Sequence, residues 1–275
     1  MAMSIRTNVA SLNAQKNIMA TEGALNSSLA KLSSGFRITK AGDDAAGLGI
    51  SSNLTAQIAS YNQAARNAAD GVSVIQTAEG ALNETNNILS RLRELAMQSA
   101  SSGVGDTERG YIQNEVTQLI SEVDRVANGT EYNGQKLIDG NVATLTFQVG
   151  IRNVAANDRI SVNTVSATAT ALGVNGLSLA TAATSQTALA TIDTAIERVA
   201  TARATLGAAG NRFNTVSNTI RTASENLAAG NSRIRDVDVA EETSAMSRAQ
   251  ILVQAGVSVL AQANQMPQMA MKLLG

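Results

Sequence analysis

The chain has 275 residues and a net charge of −1, enough length for one or two domains with a real core and too little charge to favour nucleic acid or an anionic membrane. It contains no Cys and no His, which excludes disulfides, zinc sites of the usual kind, thiol nucleophiles and every triad that uses imidazole. Hydrophobic residues make up 44% but aromatics only 2%, and Pro267 is the single proline, a balance that favours slender helix-on-helix packing.

The first segment, residues 4–35, steps through Ile5, Val9, Leu12, Ile18, Leu25, Leu29, Leu32 and Phe36. That spacing predicts a helix with one shift of phase between Leu12 and Ile18, closed at SSGF with Gly35 just past its end. In KAGDDAAGLGIS, Asp43 or Asp44 is placed to cap the next helix. Every seventh residue then reads Leu54, Tyr61, Ala68, Ile75, Leu82, Leu89, Ala96. A second stripe, Val74, Ala78, Ala81, Ile88, Leu92 and Leu95, runs down another face. A helix apolar on two faces has two sets of neighbours, so this one lies within a bundle.

ASSGVGDTERG reads as a turn cluster, and Ile112, Val116, Leu119, Val123 and Val126 mark a third helix ending near NGTEYNG. Leu145, Phe147 and Val149 alternate with Thr144, Thr146 and Gln148, and Ile160 and Val162 repeat the alternation, which predicts a β-hairpin. Residues 166–188 carry no charge and are rich in Ala, Thr, Ser and Gly; they read as a connecting loop or tip. A strict heptad follows in Ile192, Val199, Leu206, Phe213, Ile220, Leu227 and Ile234, flanked by Leu189 and Ile196. This seam is expected to pair with the 54–96 seam, with burial worth roughly 10–20 kcal/mol before entropy is subtracted.

The last segment repeats the device with Val239, Met246, Val253 and Leu260, and ends on Met266, Met269, Met271, Leu273 and Leu274. Polypeptide ends are ordinarily frayed and polar; here both are apolar. An intramolecular pairing of 4–35 with 237–274 is one reading. The final helix, however, has apolar residues around most of its circumference, including Leu252, Val257, Val259 and Leu260, more than one partner helix covers. Assembly of many copies is the favoured reading. A membrane-surface helix is disfavoured because its polar face offers Gln, Ser and Asn instead of Lys and Arg. Met1 to Ala20 has no continuous apolar region of a secretory signal, and Lys272 interrupts the last candidate span, so the default expectation is cytosolic.

No enzyme motif stands out. Asp43 and Asp44 read as caps, with no ligand cluster beside them. AGDDAAGLGIS lacks the Lys-Ser/Thr end of a phosphate loop, and the glycines of ARATLGAAGN follow no strand.

Four stretches, in order, resemble bacterial flagellin: NVASLNAQKN leading to SLAKLSSGFRITKAGDDAAGLGIS; QTAEGALNETNNILSRLRELAMQSA; LISEVDRVANGTEYNGQKLIDG with FQVG; and GAAGNRFNTVSNTIRTASENLAAGNSRIRDVDVAEETSAMSRAQILVQAGVSVLAQANQMPQMAMKLLG. The resemblance implies a short flagellin without variable outer domains and a mainly α fold: a long antiparallel helical rod with a small β-hairpin, its termini paired as a second coiled coil on assembly. The implied organisation is an inner-tube helix at 1–43, rod helices and hairpin at 44–165, a short polar tip at 166–188 in place of outer domains, a returning rod helix at 189–235 and an inner-tube helix at 236–275.

The implied function is a non-enzymatic filament subunit for motility, exported unfolded by the flagellar type III system to an extracellular filament; a hook–filament junction protein is the alternative. Self-assembly is expected to rest on Ile5, Val9, Leu12, Leu25, Leu29, Leu32, Val239, Met246, Val253, Val257, Leu260, Leu273 and Leu274. The expected intrasubunit seam is Leu54, Ile75, Leu82 and Leu89 against Ile192, Val199, Leu206, Phe213, Ile220 and Leu227. Implied partners are copies of the chain, hook-associated junction and cap proteins, and a secretion chaperone at the C-terminal helices. In several flagellins the vertebrate Toll-like receptor 5 reads the surface whose matching positions here are Arg91, Leu95 and Glu115. No cofactor, metal, nucleic acid or membrane partner is expected.

Overall fold

A computed structural model describes residues 7–141 and 144–274, with side-chain packing to residue 265. Ile5, Leu273 and Leu274 of the expected assembly set lie outside these described side chains. The chain is mainly helical: α1 (Val9–Ser34), α2 (Ala45–Ala100), α3 (Asp106–Gly129), β1 (Glu131–Tyr132), β2 (Gln135–Lys136), β3 (Thr144–Gln148), α4 (Ala155–Asp158), β4 (Arg159–Asn163), α5 (Ala169–Leu172), α6 (Ala182–Arg235) and α7 (Val239–Leu274). It divides into two units, Met1–Ala56 with Asn226–Gly275, and Gln57–Glu225; α2 and α6 contribute to both.

In the larger unit α2 is buried on both of its apolar faces. Ala68, Ile75, Leu82, Leu89 and Ala96 are buried on one stripe, and Val74, Ala78, Ile88, Leu92 and Leu95 on the other. α6 runs antiparallel to it, as paired residues show: Glu79 meets Arg203, Arg93 bonds Asp193 at 2.6 Å, and the Ser185 hydroxyl donates to that of Ser99 at 3.0 Å. The α6 heptad residues Ile192, Val199, Leu206, Phe213 and Ile220 are buried along this contact. One crossing is tighter than the rest. A Cβ on Gly71 would lie 2.7 Å from the Phe213 ring, and that ring meets Phe147 edge-on at 5.3 Å between centroids. Glycine is required there because a side chain would occupy the volume of the ring.

The predicted hairpin is present. β3 and β4 pair antiparallel with Leu145 opposite Val162 and Phe147 opposite Ile160, so the apolar members of each strand share the core face. A smaller hairpin, β1–β2, sits in a stretch read from sequence only as a helix end. Its two-residue turn is Asn133-Gly134, both at positive φ (49° and 76°), a geometry Asn-Gly adopts readily between twisted strands.

Arg109 closes the α2–α3 turn. It is only 8% exposed, and its guanidinium donates to the carbonyls of Ser99 and Ser101 and to the Asp106 carboxylate, each at 3.0 Å. A cation is thereby held on carbonyls that the end of α2 leaves without helical donors.

Residues 166–188 differ from the polar tip expected. Ala167, Ala169, Leu172, Val174 and Leu179 are buried, α5 forms within the segment, and α6 begins at Ala182. The backbone is tied to the helices: Gln113 bonds both the Leu177 carbonyl and the Leu179 amide, Asp124 accepts from the Ala169 amide, and Ser99 donates to the Leu179 carbonyl. Part of the segment is packed inside, and the backbone groups named find partners on α2 and α3.

Candidate assembly interface

The smaller unit brings the two ends of the sequence together. α1 starts at Asn8, whose side-chain oxygen accepts from the Ser11 amide, and ends at Gly35 (φ 74°), whose N–H returns to the Lys31 carbonyl. The following loop is closed by Asp43, which accepts from the Thr39 hydroxyl and from the Thr39 and Lys40 amides; these bonds hold its carboxyl below the ordinary aspartate value. Asp44, the other candidate, is the cap of α2, accepting from the Gly47 amide at 2.8 Å. Asp238 caps α7 by accepting from the Ala240 and Glu241 amides, and Glu241 and Glu242 follow in the first turn, where acidic side chains complement the helix dipole.

α1 and α7 pack antiparallel within a single chain, so the terminal pairing expected on assembly already exists in the monomer. Lys31 lies 3.7 Å from Glu242. Beyond them, Arg37 donates to the Ile234 carbonyl at 2.7 Å, and the Arg235 guanidinium covers the Phe36 ring at 4.1 Å. At the other end the Asn8 amide donates to the Ala263 carbonyl at 2.9 Å. That carbonyl would ordinarily accept from the residue four places on, which is Pro267 and has no N–H. Asn8 supplies the donor that proline withholds.

The hydrophobic pattern marks only part of what fills the contact. The buried residues are small: Ser11, Ala14 and Ser28 on α1, Ala249 and Ala263 on α7. A Cβ on Gly256 would lie 2.8 Å from Cγ1 of Ile18, so the half-buried Ile18 side chain packs directly on the α7 backbone there. Of the residues expected to drive assembly, Leu25, Leu32, Met246, Val253 and Leu260 are half-buried. Val9, Leu12, Leu29, Val239 and Val257 are exposed. Met19, Ile251, Leu252 and Val259, outside that expected set, are exposed too.

On a helix turning about 100° per residue, Leu252 and Val259 flank the contact on one side of α7 and Val239 and Val257 on the other. Leu12 and Met19, seven residues apart, share a face of α1 away from α7. The contact alternates small residues with half-buried larger ones, and a single partner helix leaves the remaining apolar residues outward. Clustered exposed apolar side chains of this kind mark interaction surfaces.

The positions matched to receptor recognition separate. Arg91 bonds Glu115 at 3.0 Å and Glu94 at 3.0 Å, and both partners hold the Arg91 guanidinium above its ordinary value, Glu94 foremost. Leu95 is 2% exposed and belongs to the core stripe, so it offers no surface to a partner. Burial on the second stripe of α2 is the reason.

The family model of the bacterial flagellin N-terminal helical region matches residues 5–143, and that of the C-terminal helical region matches 189–274. A flagellin of Halalkalibacterium halodurans is 43% identical over 274 residues, covering 99% of this chain and 100% of that one. A flagellar filament 30.7 kDa core protein of Treponema maltophilum is 41% identical over 287 residues, covering 99% and 100%. Among solved structures, Bacillus cereus flagellin superposes with a TM-score of 0.51 at 29% identity, covering 60% of this chain and 94% of that one. A structure described as a flagellar hook-associated protein from Vibrio parahaemolyticus has a TM-score of 0.59 at 14% identity over 70% of this chain and 100% of that one, a likeness of fold alone.

Proposed function

The chain belongs to the bacterial flagellin family, and on that footing we propose that the outward apolar flanks of α1 and α7 are the surfaces by which its copies join. It is a structural subunit of the flagellar filament, an extracellular polymer; the family is not one of enzymes. The junction-protein alternative has no support beyond fold likeness.

One observation carries the assignment of the surface. Leu12, Met19, Val239, Ile251, Leu252, Val257 and Val259 lie outside the α1–α7 contact, and Leu25, Leu32, Met246, Val253 and Leu260 are only half covered by it, so sheltering them from water needs further helices. Identical subunits joined head to tail supply such helices in an open polymer, because contacts of that kind do not close. Export in an unfolded state through the flagellar type III system suits a chain without disulfides. The C-terminal helix is proposed to be held by a secretion chaperone before export, and the filament to meet hook-associated junction and cap proteins at its ends. Recognition by Toll-like receptor 5 would fall on Arg91 and Glu115, in competition with their mutual ion pair.

Seeded polymerisation tests the surface. Leu252→Asp leaves monomer stability within about 0.5 kcal/mol, as surface substitutions do, and abolishes fibres seen by electron microscopy. Fibres of ordinary length from Leu252→Asp subunits refute the assignment.

A further inference from the structure

Met19 is 71% exposed, a large apolar side chain standing almost free on the face of α1 that also carries Leu12. The chain has no Cys and no Trp, so methionine thioethers are its only sulfur and its softest targets for two-electron oxidants. Among methionines whose side chains are described, Met97 is 54% exposed on α2 in the larger unit, and Met246 is half-buried against α1. Among these described methionines Met19 is the most open to oxidant, and it sits on the surface assigned to subunit contact.

We propose that Met19 is an oxidation site through which hydroperoxides control polymerisation, an inference that rests on the filament reading above. The thioether sulfur of Met19 attacks the outer oxygen of a hydroperoxide. A sulfur–oxygen bond forms as the oxygen–oxygen bond breaks, the sulfur gives up two electrons, and the departing oxygen takes a proton and leaves as water or an alcohol. The sulfoxide is polar and chiral where an apolar chain stood. Among the described residues the monomer leaves the Met19 side chain exposed, so the damage is felt where a second copy must bury it. Oxidation therefore acts on subunits before they join, and packing in the filament shields those that already have.

The test uses the full chain and hydrogen peroxide. Monomer is oxidised to partial conversion, polymerised on seeds and separated into pelleted and soluble fractions, and sulfoxide at each methionine is measured by peptide mass spectrometry. Met19 sulfoxide is expected to form faster than that of Met97 or Met246, and to be enriched about tenfold in the soluble fraction, the effect of losing most of one buried side chain's transfer energy. Met19→Leu keeps the apolar surface and is expected to polymerise normally, and to lose less activity on peroxide treatment than the parent chain. Equal partition of Met19 sulfoxide between fractions overturns the inference and leaves the filament reading intact. Failure of untreated chain to polymerise at all overturns both.

Discussion

The bond from Asn8 to the Ala263 carbonyl invites a double substitution. Asn8→Ser retains a side-chain oxygen to cap α1, since Ser and Asn cap helices about equally well, but loses the amide that reaches α7. Ala263 is 7% exposed, so its carbonyl is left without a donor in a nearly dry place. An orphaned buried acceptor costs about 1–3 kcal/mol, and partial access to water puts the expected loss near 1–2 kcal/mol. Pro267→Ala restores an N–H four residues beyond Ala263, and the helix then satisfies its own carbonyl. In that background Asn8→Ser should cost under about 0.5 kcal/mol. Urea denaturation followed by circular dichroism gives the four free energies of the cycle, and hydrogen exchange of the α7 amides reports whether the loss is local. An equal cost of Asn8→Ser with and without Pro267 refutes the reasoning, because the bond would then have nothing to do with the missing N–H.

Other outcomes follow from single contacts. Gly71→Ala drives a methyl to 2.7 Å from the buried Phe213 ring, and overpacking of about 1–3 kcal/mol outweighs the helix-propensity gain of about 1 kcal/mol; Gly80→Ala, with nothing within 4 Å, keeps the gain, so thermal melts of the two should move in opposite directions. Arg109→Ala takes the guanidinium from the Ser99 carbonyl and from the Ser101 carbonyl, which keeps the Val104 amide, and should destabilise the monomer by about 1–3 kcal/mol in urea titrations. Asp43 titrates below 3.8 in the folded chain, so its contribution is present above that value and fades as pH falls through the lowered one; carboxyl chemical shifts should place its midpoint under 3.8, and a midpoint at or above it contradicts the Thr39 and Lys40 bonds.

The long helices were legible because a seven-residue apolar repeat of Leu, Ile, Val and Phe admits few other arrangements; Ile192 to Ile220 lie buried where that repeat puts them. The alternating strands were legible for the same reason with a period of two. Elsewhere hydrophobicity alone was not enough. Ser11, Ala14, Ser28 and Gly256 sit in the α1–α7 contact between half-buried Ile18, Leu25, Leu32, Met246, Val253 and Leu260, and a hydrophobic stripe announces only the larger set. Leu12 and Val257 face out, so a sequence pattern that sees only hydrophobicity cannot say which apolar residues hold the monomer and which await a second copy. In 166–188, low charge looked like an exposed loop, whereas Leu172, Val174 and Leu179 are core. The Asn133-Gly134 turn was a readable signal, and the helix ending just before it drew the reading away. Leu95 shows the limit of transferring a motif residue by residue: position matched, accessibility did not.

The α1–α7 contact leaves one set of large apolar residues facing outward and holds small ones at its most buried points, which separates two heritable traits. Trimming or enlarging an outward side chain alters how strongly neighbours adhere while leaving the lone molecule's fold nearly untouched. Enlarging Gly256 or Ala14 does the reverse. Adhesiveness and foldedness can therefore drift at different sites and different speeds, and a filament can be made tougher or more brittle without first rebuilding the brick.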